Sequence, residues 1–188
     1  MNTAEISLRR EKLLAAKSKH RSPSWCNKLW RNFIKARDLF RCVCCDSTQD
    51  LEAHHIVRRA LLPNAGLEMG NGITLCRLCH KKVHAEFNQR PDPSLPIGAE
   101  QGDSQDEWAF LFGLLYEDAI NRNLGQDQFY YLNNETIEFF HRLQGYDELY
   151  YSASRGEMTR IRYAHEVWRW MPETWYTEIA ENLLVSLL

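Results

Sequence analysis

The sequence predicts an α+β protein that is mostly α: a small cysteine-rich finger of two short strands and a helix (ββα), followed by a helical C-terminal domain. Three observations carry that reading. Two dithiol pairs, Cys42-x-x-Cys45 and Cys76-x-x-Cys79, bracket thirty residues. Between them lie two strand-length segments, "LEAHHIV" and "NGITL". Apolar positions recur at helical spacing both before and after this unit. At 188 residues the chain can bury a real core, as one domain or two modest ones.

Residues 4–19 read as a basic amphipathic helix with Ile6, Leu8, Leu13 and Leu14 as its apolar positions. A helix restarts in "SPSWCNKLWRNFIKARDLF", where Ser22 is placed to cap it and Pro23 suits the first helical position. Leu29, Trp30, Phe33 and Ile34 make an apolar stripe expected to pack on the cysteine-rich unit. Residues 51–57 have strand length and end in β-branched side chains. "NGITL" at 71–75 opens with the commonest hairpin-turn dipeptide and continues as a short second strand. From Cys76 to about Asn88 the residues favour helix. The tract 88–106, rich in Pro, Gly, Gln and Asp, reads as a linker. Beyond it Ser104-x-x-Glu107 matches a capping box ahead of "WAFLFGLLYEDAI". Helical patterns follow at about 134–144, 157–170 and 173–187, with Gly145 and Pro172 as punctuation. The tract 126–133, "QDQFYYLN", fits neither helix nor strand cleanly. The expected organisation is a basic N-terminal helix over 1–24, a finger domain over 25–88, a linker over 89–104 and an acidic helical domain over 105–188.

Charge divides the chain. Residues 1–90 hold 17 Lys and Arg against 8 Asp and Glu, and residues 91–188 hold 6 against 17, so a net −2 conceals halves of +9 and −11. All six cysteines and five of the seven histidines lie in the basic half. A basic half suits a polyanion such as nucleic acid. The alternative is that the two halves attract each other. Hydrophobic content is 44% and mean hydropathy −0.51; no apolar run reaches the roughly 18 residues of a membrane span. The N-terminal twenty residues lack the apolar core and small-residue cleavage site of a secretory signal. An intracellular, cytoplasmic and reducing compartment is expected.

In such a compartment disulfides are disfavoured. Four thiolates from two C-x-x-C pairs make a closed tetrahedral Zn²⁺ site, which can replace a hydrophobic core in a short segment. Cys42, Cys45, Cys76 and Cys79 are the expected ligands of a structural zinc. Placing Cys76 and Cys79 in the first turn of a helix favours the thiolate form. Cys44 is an extra thiol in the knuckle, and Cys26 reads as an unpartnered buried thiol.

Four histidines remain. His80 and His84 are four apart in the expected helix, so both can reach one ion. His54 and His55 are adjacent in an expected strand, where successive side chains point to opposite faces. The pair therefore divides its labour: one joins the helix histidines on a metal, and the other stays free to deprotonate water. His141 and His165 are isolated and read as surface or core residues.

The series Cys42-x-x-Cys45, "AHHI", Asn71, "LCRLCH" and His84 resembles the HNH endonucleases, the ββα-metal nucleases, in their zinc-stapled branch. The likeness covers roughly Trp25 to Asn88, including the lead-in from Arg37 to Cys42, and departs mildly at Cys44. It implies DNA phosphodiester hydrolysis, with restriction or anti-phage defence among the roles such an enzyme can serve. His55 matches the general base that activates water. His54, His80 and His84 match ligands of a catalytic divalent ion such as Mg²⁺ or Mn²⁺. Asn71 matches the middle Asn that holds the loop and the base-bearing strand in register, and with His54, His55 and His80 it completes the expected catalytic set. Double-stranded DNA is the implied substrate, and Arg58, Arg59, Arg77, Lys81 and Lys82 are placed to grip its backbone. The acidic helical domain offers a surface for a protein partner or homodimer, or a restraint on the basic face. A non-catalytic zinc module that binds nucleic acid or protein is the alternative; it explains the thiolates and leaves the histidines to coincidence.

Overall fold

The computed structural model describes residues 3–84 and 104–173. The expected linker lies outside them apart from Ser104. So do residues 85–88 of the expected third helix and, apart from Glu173, the helix expected over 173–187. Two helices open the chain. In α1 (Thr3–Ser18) Ile6, Leu13 and Ala16 are buried, whereas Leu8 and Leu14, expected on the same stripe, are 50% and 36% exposed. Ile6 and Leu13 sit one heptad apart on one side of the cylinder, while Leu8 lies about 200° round from Ile6. Helix α2 (Pro23–Arg37) starts as its sequence dictates, with Ser22 Oγ accepting from the Trp25 N–H at 3.4 Å and Pro23 in the first turn. Its stripe of Trp30, Phe33 and Ile34 is wholly buried.

That stripe lies against a two-stranded antiparallel sheet, β1 (Leu51–His55) and β2 (Gly72–Cys76), in a register that sets Leu51 opposite Cys76 and His55 opposite Gly72. Asn71 and Gly72 do not form a hairpin turn. Residues 56–71 join the strands, with one 3-10 turn at Pro63–Ala65, and Gly72 is itself a paired strand residue. A glycine stands at 72 because a Cβ there would lie 2.5 Å from Trp30 Cζ2 and 2.7 Å from Ile34 Cδ1. The dipeptide thus serves close helix–strand approach. Helix α3 (Arg77–Val83) follows β2 directly, giving the ββα order, with His84 at its C-cap.

A buried ion pair fixes α2 to this unit. Arg37, fully buried, donates to Asp38 at 2.7 and 3.1 Å, to Met69 O at 2.6 Å and to Gly72 O at 2.6 Å. Asp38 in turn accepts from the Thr74 N–H at 2.8 Å. Neighbouring carboxylate and phenol hold the Arg37 guanidinium above its usual range against the opposing effect of burial. Each side-chain nitrogen and oxygen of the ion pair finds a partner, the condition under which a buried pair is tolerated.

The C-terminal part is helical: α4 (Gln105–Asn121), α5 (Gln126–Phe129), α6 (Asn134–Gln144), α7 (Asp147–Ser154) and α8 (Arg160–Trp168). Ser104 Oγ caps α4 by accepting from the Glu107 N–H at 3.3 Å, as the capping box predicts. Gly145, at φ 74°, ends α6 as expected. The ambiguous tract at 126–133 contains the single turn α5, and α7 was not anticipated. One hydrophobic cluster runs from Ile6 through Trp30 and Ile73 to Trp108, Phe140 and Trp168. The two regions meet at specific contacts. Gly70 N donates to Tyr131 O at 2.9 Å, and the Arg37 guanidinium lies 4.4 Å over the Tyr130 ring. Arg41 pairs with Asp46 at 2.6 Å and also with Asp118 of α4, so opposite charges from the two halves do meet. Among the described residues no helix is long and apolar enough to cross a membrane.

Candidate active site

The four thiols converge. The sulfurs of Cys42, Cys45, Cys76 and Cys79 all lie within 4.8 Å of one another. Cys45 and Cys76 sulfurs are 3.7 Å apart, close to the roughly 3.8 Å edge of a tetrahedron with 2.3 Å Zn–S bonds, so the donor set fits zinc. Two tight elements bring them together. The knuckle closes on itself through Cys42 N to Ser47 O at 2.8 Å and Asp46 N to Cys42 O at 2.9 Å, and Val43 N ties it to Thr74 O of β2 at 2.9 Å. Cys76 stands at the N-cap of α3, where the Cys79 N–H holds its thiol down to about 7. Cys79 behaves oppositely, since burial among the other thiols pushes it up. A metal there would displace its proton. Cys44 is exposed and outside the cluster, and Cys26 is buried with its thiol 3.6 Å from Arg21 O.

A second cluster holds His54, His80 and His84, whose ring nitrogens also lie within 4.8 Å of one another. The rings meet edge to face, with centroids 5.0, 5.0 and 4.7 Å apart. His80 and His84 Nε2 atoms are 3.2 Å apart. That is near the roughly 3.3 Å edge expected for 2.0–2.1 Å metal–nitrogen bonds. Glu52 Oε2 is 3.1 Å from His80 Nδ1 and orients the ring so that Nε2 faces the cluster. His54 is 92% buried from solvent by its strand position, at 8% exposure, and burial with the neighbouring imidazoles pushes it down to about 3. Burial likewise lowers His84. Neutral imidazoles are the ligand form, so the cluster needs no proton removed from its most buried member.

His55 turns to the other side of β1, as alternation along a strand requires. Its ring stacks on Trp30 at 4.1 Å with a 7° interplanar angle, and its Nε2 lies 2.9 Å from Gly66 O. A carbonyl only accepts, so Nε2 carries the hydrogen and the Nδ1 lone pair is available. Burial lowers the His55 pKa, which keeps this base form populated at neutral pH. Trp30 is itself pinned by its indole N–H to Glu68 O at 2.9 Å. Asn71, wholly buried, holds the start of the connecting loop: Oδ1 accepts from Val57 N at 2.8 Å, and Nδ2 donates to Val57 O at 2.9 Å and Ala65 O at 3.1 Å. Its side chain is fully engaged by backbone and acts on register.

Both histidine groups open on one cleft of about 410 Å³, lined also by Arg58, Arg59 and, from α4, Glu107 and Trp108. Arg77, Lys81 and Lys82 lie exposed on α3 beside it. The sequence reading missed Trp30 as the platform for His55, Gly66 as its hydrogen-bond partner, and Glu52 behind His80. Trp30 was visible only as one member of an apolar stripe. Glu52, two residues before His54, gave a usable signal, because i and i+2 share a strand face.

Residues 42–86 match the family model of the HNH endonucleases. That segment carries both C-x-x-C pairs, His54, His55, Asn71, His80 and His84, and the match points to a nuclease or nucleic-acid-binding function for it. No curated protein and no solved structure matches the chain.

Proposed function

We propose that the protein is a metal-dependent endonuclease that hydrolyses phosphodiester bonds in double-stranded DNA. The observation that carries this reading is the partition across β1. His54 joins an ion-sized imidazole cluster with His80 and His84, while His55, with its Nε2 held by Gly66 O, lines the same cleft from the opposite face of the strand.

In this mechanism His55 Nδ1 takes a proton from the attacking water, with the resulting imidazolium braced by Gly66 O and stacked on Trp30. Asn71 keeps the loop that bears Gly66 locked to the end of β1. His54, His80 and His84 would hold the divalent ion, with Glu52 behind His80. When bound, such an ion supplies Lewis-acid stabilisation of the charge on the scissile phosphate and the leaving 3′ oxygen. Three neutral nitrogen donors suit a first-row transition ion better than Mg²⁺, which takes oxygen ligands. The four thiolates would hold a structural zinc and leave the chemistry to the histidines.

A non-catalytic zinc module would account for the thiols and give the three-imidazole cluster and the oriented His55 no task. Supercoiled plasmid nicking decides between them. The purified chain should nick with Mn²⁺, Co²⁺ or Ni²⁺ added, more slowly with Mg²⁺, and not at all in EDTA. Binding of DNA without cleavage under every metal would establish the module instead.

A further inference from the structure

Gly66 is a glycine for a reason its backbone does not give. Its φ and ψ of −63° and −15° are ordinary right-handed values open to any residue. Space explains it: a Cβ at 66 would lie 2.8 Å from Arg59 Cδ and 2.9 Å from Arg59 Cγ, with Pro63 O at 3.1 Å. The aliphatic stem of Arg59 therefore rests on the bare Cα of Gly66. The carbonyl of the same residue is the 2.9 Å partner of His55 Nε2. One buried residue thus fixes two side chains, one through its Cα and one through its oxygen.

Arg59 differs from the arginines that tie the elements of the fold together. Arg37, Arg41 and Arg160 are each engaged by carboxylates, amide oxygens or backbone carbonyls. Arg59 lines the cleft beside His55, its side chain exposed, and among the described residues no hydrogen bond or ion pair engages its guanidinium. A cation whose stem lies against Gly66 and whose planar fork is left unoccupied is suited to a phosphate.

We propose that Arg59 contacts a non-bridging oxygen of the scissile phosphodiester, and that Gly66 is the positioning residue that seats it at a fixed separation from His55. The inference rests on the nuclease reading above. Negative charge grows on the phosphate oxygens as water attacks, and a preorganised guanidinium stabilises it at that moment. Because Gly66 anchors both groups, any shift of the 63–66 turn moves base and cation together.

A double-mutant cycle of Gly66→Ala and Arg59→Ala, read by plasmid cleavage kinetics and thermal unfolding, tests this. Arg59→Ala should lower kcat by about 10²-fold, with the loss in kcat exceeding any rise in KM, and leave Tm unchanged. Gly66→Ala should lower both kcat and Tm while Arg59 is present. With Arg59 truncated, the two closest colliding atoms are gone and only the 3.1 Å approach to Pro63 O remains, so the added Gly66→Ala should change kcat by less than about threefold and lower Tm far less than it does beside Arg59. If the single Gly66→Ala protein does not fold, a folded double variant gives the same support. Equal damage from Gly66→Ala in both backgrounds overturns the seating, and wild-type kcat in Arg59→Ala overturns the phosphate contact. A wild-type chain that cleaves no DNA with any metal overturns the nuclease reading itself, a result distinct from either.

Discussion

The two ligand clusters occupy one small finger and gather their donors within the same 4.8 Å, yet they are built for opposite ends. The thiols come from an irregular knuckle and the start of α3, and three of the four are buried. Four donors close a tetrahedron and leave no position for substrate. The imidazoles number three, lie on a regular strand and helix, and face an open cleft. The lesson is that donor count and scaffold separate a fold-forming site from a reacting one: the first staples an irregular knuckle to the strand–helix junction, whereas the second is carried by regular elements.

The largest effect should come from breaking the closed site. Cys76→Ala removes a ligand whose metal binding is folding energy, about 10–16 kcal/mol for structural zinc in small units. That is as large as the about 5–15 kcal/mol net stability of a typical domain. The variant should lose zinc and cooperative unfolding together, measured by metal analysis and circular-dichroism melting. A folded, zinc-free, active Cys76→Ala protein would remove the distinction drawn above.

His55→Ala attacks the reacting side alone. Cleavage should fall about 10²- to 10⁴-fold, as for loss of a general base. Loss of the Trp30 stack and the Gly66 hydrogen bond should cost only about 1–2 kcal/mol. Zinc content should stay at the wild-type level. Retained cleavage in the folded variant would move the base elsewhere.

Much of this arrangement could be read from the sequence because it depends on local rules. The C-x-x-C spacing, the i,i+4 pair His80 and His84, and the opposed faces of His54 and His55 follow from strand and helix periods. What could not be read depends on which segments meet. Asn71-Gly72 carries a turn signature, yet the residues serve as a loop clamp and a packing gap. That outcome was set by Trp30 and Ile34 arriving from forty residues upstream in the chain's fold. Arg37 and Asp38 are charged residues at the end of α2, and their burial becomes apparent only once Met69, Gly72 and Tyr130 surround them. Leu8 and Leu14 failed as core residues because α1 presents only one narrow side to α2.

Within the open site the three ligands should not be equal. His54→Ala removes the most buried imidazole, the one already neutral at any physiological pH. Its loss should weaken the catalytic ion by more than the 10–100-fold typical of an outer-shell partner. His84→Ala should weaken it less, since His84 closes α3 at its C-cap, where the chain can adjust. Isothermal titration of zinc-loaded protein with Ni²⁺ or Co²⁺ measures the order. The reverse order would place the ion nearer the helix end than the strand.

The smallest effect belongs to Glu52, which touches no ion-facing nitrogen. Its Oε2 lies 3.1 Å from His80 Nδ1 and so selects the tautomer that turns Nε2 toward His54 and His84. The Glu52 side chain is 59% exposed, so solvent screens its charge and its hold on the ring is partial. Glu52→Gln keeps the shape and an oxygen acceptor while removing the charge. Second-ion affinity should drop by about tenfold, at the low end for outer-shell carboxylates. Zinc content and Tm should not change, because nothing in the thiol cluster depends on Glu52. If Glu52→Gln instead released the structural zinc or lowered Tm by several degrees, strand β1 would be transmitting strain from one cluster to the other, and the two sites could no longer be treated as separately built.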